Sequence, residues 1–280
     1  MADDIITAGS EFSVIVPEVW SRRFYDVLLT QLPFAPIINK DYEGEIQNLG
    51  DTVKISTFPE FDEAQILPEG ARNDAEALTP TQQNLVIDTR IVKDFIITNR
   101  AQLQSLPHMD KLRDLAIFSI NKKIQERIIT LSIPSSSAPD HQIAYDSGTT
   151  LVLADLLEGK ELLDTQNVPQ GNRHLVLDAP QLNDIFNITG FTSSDFITDG
   201  APIQTGNLPS ALLGFMPHFT TEVSAVTHLF HSSYFTMAAQ QGILIKEFDL
   251  GVDGVRAARV NVDWLGGFKQ LDNKRTVQIS

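Results

Sequence analysis

The chain has 280 residues with 42% hydrophobic and 20% charged, enough apolar material for one large or two modest folded domains. It has no cysteine, which excludes disulfides, thiolate nucleophiles and cysteine metal sites. Thirty-six acids against 21 bases give a net charge of −15, which argues against non-specific nucleic-acid binding, because that requires Lys and Arg to displace phosphate counterions.

No stretch reaches the ~20 apolar residues needed to span a bilayer. The opening MADDIITAGSEF lacks the basic and apolar regions of a secretion signal, so a soluble intracellular product is expected.

Pro17–Leu32 has a helical pattern. Val19, Trp20, Phe24, Val27, Leu28 and Leu32 recur mainly at spacings of three and four beside Glu18, Arg22, Arg23 and Asp26. Asp51–Pro59 alternates Val53, Ile55 and Thr57 with polar residues, predicting a half-buried strand. Leu85–Thr98, rich in β-branched residues, reads as the return strand. Between them Glu60–Asn84 is polar and broken by Pro and Gly. A connection of this length is either disordered or an extended arm ordered by a neighbour, and a lone hairpin needs a surface to lie on.

Ile117, Ile120, Ile124, Ile128 and Leu131 mark one face of a long helix, about 109–133, stopped by Pro134. Residues 135–147 form a Ser/Pro/Asp-rich linker. Thr150–Asp164 then reads as a helix, His174–Leu177 as a strand, and Asp178 as the cap of a second helix with Pro180 in its first turn. Leu208–Val223 predicts a hairpin or edge strand. Ser232 or Ser233 is placed to cap a helix through Phe235, Met237, Ala238 and Ala239 to Gly242. The tail, Ile243–Ile279, reads as strands with turns at Asp253-Gly254 and Gly266-Gly267. These last strands are expected to return to the early β-segment beside the long helix, so that one region is built from both chain ends.

Chemical motifs are sparse. There is no glycine-rich phosphate loop and no GxSxG nucleophile elbow. Asp146-Ser147-Gly148 has the local form of an aspartic-protease turn, in a single copy that reads as a turn before a helix. His228 and His231 would share a helix face as a metal pair, but their surroundings read as a strand and no third ligand is indicated. Neither an enzyme nor a cofactor or metal is expected.

The run VPEVWSRRFYDVLLTQLPFAPIINKDYEGEIQNLGDTVKIS, Val16–Ser56, resembles the start of tailed-phage major capsid proteins. The blocks LLDTQNVPQGNRHLVLDAPQLNDIF at Leu162–Phe186, Gly206 to Phe215, FHSSYFTMAAQQ at Phe230–Gln241 and the terminal WLGGFKQLDNKRTVQI follow in the family's order. The resemblance covers about nine-tenths of the chain. It implies an α+β, Hong Kong ninety-seven-type capsid fold: an N-terminal arm at 1–40, an extended loop at 41–98, a peripheral domain at 99–146 with the long spine helix, an axial domain at 147–242, and closing peripheral strands at 243–280.

It further implies hexamers and pentamers that close an icosahedral phage head around double-stranded DNA held without specific binding. The partners implied are copies of the chain, a separate scaffolding protein, a portal and a decoration protein, with no membrane. Location in the virion follows, after assembly in the host cytoplasm. An encapsulin-like compartment shell is the alternative.

Within that frame the acidic loop residues Glu60, Asp62, Glu63, Glu69, Asp74 and Glu76, with Arg72 the one base among them, are expected to cross basic positions of an adjacent subunit. Those positions are Arg22 and Arg23 of the arm, beside Trp20, and Lys111, Arg113, Lys122, Lys123 and Arg127 of the long helix. The competing reading is a solvated acidic loop. Reversal of Lys122 and Lys123 is expected to impair assembly. Because the chain opens directly on the arm, a fused scaffolding segment is not expected.

Overall fold

The computed structural model describes residues 29, 32–43, 52–64, 66–70, 72, 75–98, 109–137, 140–188, 211–224, 226–249 and 257–280. All but Leu29 belong to one body, Gln31–Ser280. The helix expected over Pro17–Leu32 lies almost entirely outside the described residues, as do Trp20, Arg22, Arg23, Asp74 and the Asp253-Gly254 turn.

The chain enters with a single turn, α1 (Phe34–Ile37), then β1 (Thr52–Thr57) and β2 (Thr81–Val86), which pair antiparallel as a separate two-stranded sheet. A three-stranded antiparallel sheet follows from β3 (Thr89–Thr98), with β9 (Ala257–Gln270) in its centre and β8 (Phe235–Asp249) at its far edge. The long helix α2 (Met109–Leu131) lies against it. Ile120, Ile124 and Ile128 of α2 are buried with Val260, Val262 and Trp264 of β9, as their three- and four-residue spacing dictates. Ser132 closes the helix by donating its main-chain N–H to the Ile128 carbonyl, two residues before Pro134.

The second layer is a five-stranded mixed sheet ordered β4 (Gln142–Ile143), β10 (Thr276–Ile279), β7 (Thr227–His231), β5 (Arg173–Leu177), β6 (Met216–Phe219). Helices α3 (Leu153–Thr165) and α4 (Ala179–Asn187) cover one face, where Leu156, Leu163 and Ile185 meet Leu175, Leu177, Leu229, Val277 and Ile279. The other face meets α1 and α2 through Val176 and Phe230. Burial on both sides explains why all five residues of β5 are buried. The Asp178 carboxylate accepts the Ala179 N–H at 2.7 Å and caps α4 as predicted.

Four expectations are corrected. The helix from Ser232 or Ser233 to Gly242 is instead a 3-10 turn, Ser232–Tyr234, followed by β8. Phe235 and Met237 face the α2 core while Ala238 faces the hairpin, which is a period of two. A short apolar run fits either period, and pairing with β9 decides between them.

The return strand over Leu85–Thr98 is broken at Ile87-Asp88 into β2 and β3, which enter different sheets. Gly266-Gly267 is no turn but lies inside β9. Finally, the tail does not stay together. β9 pairs with β3, but β10 joins the five-stranded sheet between β4 and β7, while β8 extends from Phe235 to Asp249 with shifts of register between Ala239 and Leu244.

Candidate functional site

The exposed hairpin is built from alternation. Val53 and Ile55 of β1 and Leu85 of β2 turn inward, join Ile87, and pack on Ala238 with Tyr42, Leu265 and Leu271. Gln83 donates to the Leu271 carbonyl at 3.0 Å and pins the stem to the body. The last rung pairs Thr57 with Thr81.

Past that rung the chain leaves the body. Phe58, Phe61 and Ile66 are 68%, 67% and 99% exposed. Glu60, Asp62, Glu63, Glu69, Arg72 and Glu76 are exposed beside them. The two limbs touch where the Asp62 N–H donates to the Glu76 carboxylate at 3.2–3.3 Å. Apolar side chains of this size gain about 1.5–3 kcal/mol each when fully covered, so the loop carries unused binding surface. The acids are plain in the sequence, whereas the apolar residues among them are easily passed over. Their signal is Phe58, Phe61, Ile66 and Leu67 punctuating an acidic, Pro-rich run.

The basic residues of α2 are divided. Arg113 pairs with Glu247 of β8, Lys122 with Glu222 at 3.0 Å, and Lys123 with Glu126 at 2.6 Å. Lys111 is exposed, and Arg127 is exposed with no ion-pair partner among the described residues. No ion pair joins the acidic loop to α2 among the described residues, so the structure does not bring the two expected sets together within one subunit. Because Lys122 and Lys123 have partners in their own chain, reversing them would disturb the subunit as well as any neighbour, and Arg127 is the cleaner position.

The outward face of the three-stranded sheet carries two ion pairs, Arg90 with Asp263 and Arg259 with Asp94. The hydrogen bond from Arg90 holds Asp263 below the usual carboxylate range, and that from Arg259 does the same for Asp94. Exposed Val92 and Ile96 on β3 and Leu244 and Phe248 on β8 flank them.

His228 and His231 stand on a strand, where a spacing of three sends them to opposite faces, and among the described residues no group of three or more metal-ligating side chains occurs. Asp146-Ser147-Gly148 is a turn. Asp155 accepts from the Asp146 and Val152 N–H groups at 3.0 and 2.9 Å, and Ser147 bonds Thr150. Among the described residues no helix is long and apolar enough to cross a membrane.

The architecture of two sheets, a long helix and a projecting hairpin is similar to that of several solved phage structures. A Mycobacterium phage Che8 structure shares 20% identity over 95% of this chain and 97% of its own, with a TM-score of 0.75. The capsid of a native GTA particle shares 9% over 98% of both chains at 0.75, and the capsid asymmetric unit of cyanophage Pam1 15% over 100% and 98% at 0.72. No curated protein matches the chain. These likenesses define the class, an α+β subunit of the Hong Kong ninety-seven-type capsid fold.

The family model for phage capsid protein matches residues 114–279, from the first third of α2 to the last residue of β10. The chain belongs to that family, and its role is that of a major capsid shell subunit.

Proposed function

We propose that copies of this chain assemble as hexamers and pentamers into an icosahedral head enclosing double-stranded DNA, each subunit laying its 41–98 segment over a neighbour. The exposure of Phe58, Phe61 and Ile66 beyond the last hairpin rung carries this reading. Surface of that kind on a projecting limb calls for a second molecule to cover it. Extended arms bury area on a neighbour without thickening the wall, and many modest contacts let misplaced subunits dissociate.

The acids beside those residues set register against basic groups of the adjacent subunit, with Arg127 the foremost, Lys111, Arg113, Lys122 and Lys123 along the same helix, and Arg22 and Arg23 contributing from the arm. A net charge of −15 supports a wall that contains DNA without gripping it. In this reading residues 1–40 are the arm, α2 with the three-stranded sheet is the peripheral domain, and the five-stranded sheet with α3 and α4 is the axial domain. The axial domain then takes in β4 and β10. A separate scaffolding protein, a portal and a decoration protein complete the particle, which forms in the host cytoplasm and becomes part of the virion. No catalytic step is assigned.

Phe61→Ser/Ile66→Ser is expected to leave the melting temperature of the unassembled subunit within about 2 °C of wild type, since both side chains are already exposed. Shells seen by electron microscopy should be lost. Normal particles from this variant would show that the loop does not hold the wall together. Wild-type particles holding a packaged enzyme instead of DNA would replace the head with a compartment shell.

No lysine lies between Lys54 and Lys93, so an isopeptide bond at the loop tip has no amine to form from. Boiled, denatured particles are expected to run as monomers on a gel, and a ladder of multiples would refute this.

A further inference from the structure

Three histidines that the assembly reading does not use share one face of the five-stranded sheet. Val176 of β5 is paired with His218 of β6 on one side and His228 of β7 on the other, and His174 lies two residues before it on the same face. That face meets α1 through a chain of rings, and α2 shares the buried cluster around Val176 and Phe230. His218 contacts His174 with centroids at 5.2 Å, and His174 contacts Phe230 at 5.6 Å. Phe230 stacks on Phe34 at 5.6 Å, and Phe34 meets His228 edge-on at 5.9 Å.

Nδ1 of His174 and Nε2 of His218 are 3.1 Å apart, a hydrogen bond that needs one N–H and one lone pair. Two imidazolium rings would present N–H to N–H. His228 is buried against Phe34 in surroundings that offer a charge little solvation.

The charged groups on adjoining elements do not offset this. Arg173 is engaged by Asp164 at 2.7 Å and by the Val168 and Pro169 carbonyls. Arg275 is engaged by Asp272 and Ser233, Lys122 of α2 by Glu222, and His231 by Ser233. Burial lowers the proton affinity of all three rings, to about 4 for His174 and His228, and among the described residues no carboxylate acts in the other direction. His218 and His231 depress His174 further.

The geometry points to an acid-labile seam: proton uptake at His174, His218 and His228 breaks the imidazole pair, charges both ends of the ring chain, and parts the five-stranded sheet from α1 and α2. The sign follows from linkage. Rings harder to protonate when folded than when unfolded leave the unfolded chain binding more protons between the two values, so stability falls as pH drops from about 6.5 toward about 4. At pH 4.5 His228 alone raises the unfolding constant about 60-fold relative to pH 7.

Urea unfolding of the full unassembled chain at pH 7.0 and 4.5 tests this beside His174→Gln/His218→Gln/His228→Gln, whose amides hydrogen-bond without titrating. The wild-type unfolding constant is expected to rise at least roughly 100-fold more than that of the triple variant over this interval. An equal rise in both would overturn the seam. If the variant does not fold, imidazole resonances of the wild type decide the matter. Rings that stay neutral to pH 5 in the folded protein support the seam, and ordinary titration near 6.5 without unfolding overturns it.

Discussion

Gly267→Ala is expected to destabilise the subunit by about 3 kcal/mol, which for a chain of this size lowers its melting temperature by roughly 6–12 °C. A Cβ at this position would lie within van der Waals distance of the Val86 carbonyl and of the Ile87 side chain, where the chain passes from β2 to β3. The neighbour that must yield is main chain, so no rotamer change relieves the clash. Gly266 adds to the constraint from the other side of the strand, since the Trp264 ring fills the space a side chain would take. The glycine pair therefore lets β9 be packed closely on both faces, and it sets the seat from which the hairpin projects. Because the loop is aimed by that seat, particle yield is expected to fall more steeply than stability. Gly242→Ala on β8, where nothing lies within 4 Å of the added carbon, is the control and should melt close to wild type. Unchanged melting in Gly267→Ala would show that the crossing has room for a methyl group after all.

Arg173→Met is the second large effect expected. The Arg173 side chain is 2% exposed, donates to the Val168 carbonyl at 2.6 Å and the Pro169 carbonyl at 2.9 Å, and reaches Asp164 at 2.7 Å. Its guanidinium also lies 5.9 Å from the centre of the Phe215 ring. This one side chain ties the turn after α3 to the start of β5. Methionine keeps most of the volume and removes every donor, leaving two main-chain carbonyls without them at about 1–3 kcal/mol each. A loss of about 3 kcal/mol in urea unfolding is therefore expected. Asp164→Asn should cost less than about 1 kcal/mol, because Asp164 is 38% exposed and water can take the place of the ion pair. Equal losses in the two variants would mean that the charge pair, rather than the buried carbonyl bonds, holds the turn.

Local chemistry makes several elements legible in the sequence itself. α2 follows from isoleucines at helical spacing and a proline just past its end. α4 follows from Asp178 and Pro180, and β1 from strict alternation around Val53 and Ile55. The projecting loop is legible for the opposite reason, as a stretch too polar and too broken to build structure of its own. Each of these signals lies within a few residues of the chain, so neighbouring side chains and the helix or strand period suffice to determine it.

What only the tertiary structure decided depends on partners far away in sequence. β8 is a strand because β9 offers it a ladder, although its apolar residues also suit a helix. Gly266 and Gly267 read as a turn until Trp264 and the Val86 carbonyl are seen on either side of them. β10 joins β4 and β7 across gaps in sequence that no local pattern encodes. The same holds for the ring chain from His218 to His228, whose members come from three strands and a helical turn. Periodicity reports which side of an element is buried, but the partner that buries it is chosen by the packing of the whole chain.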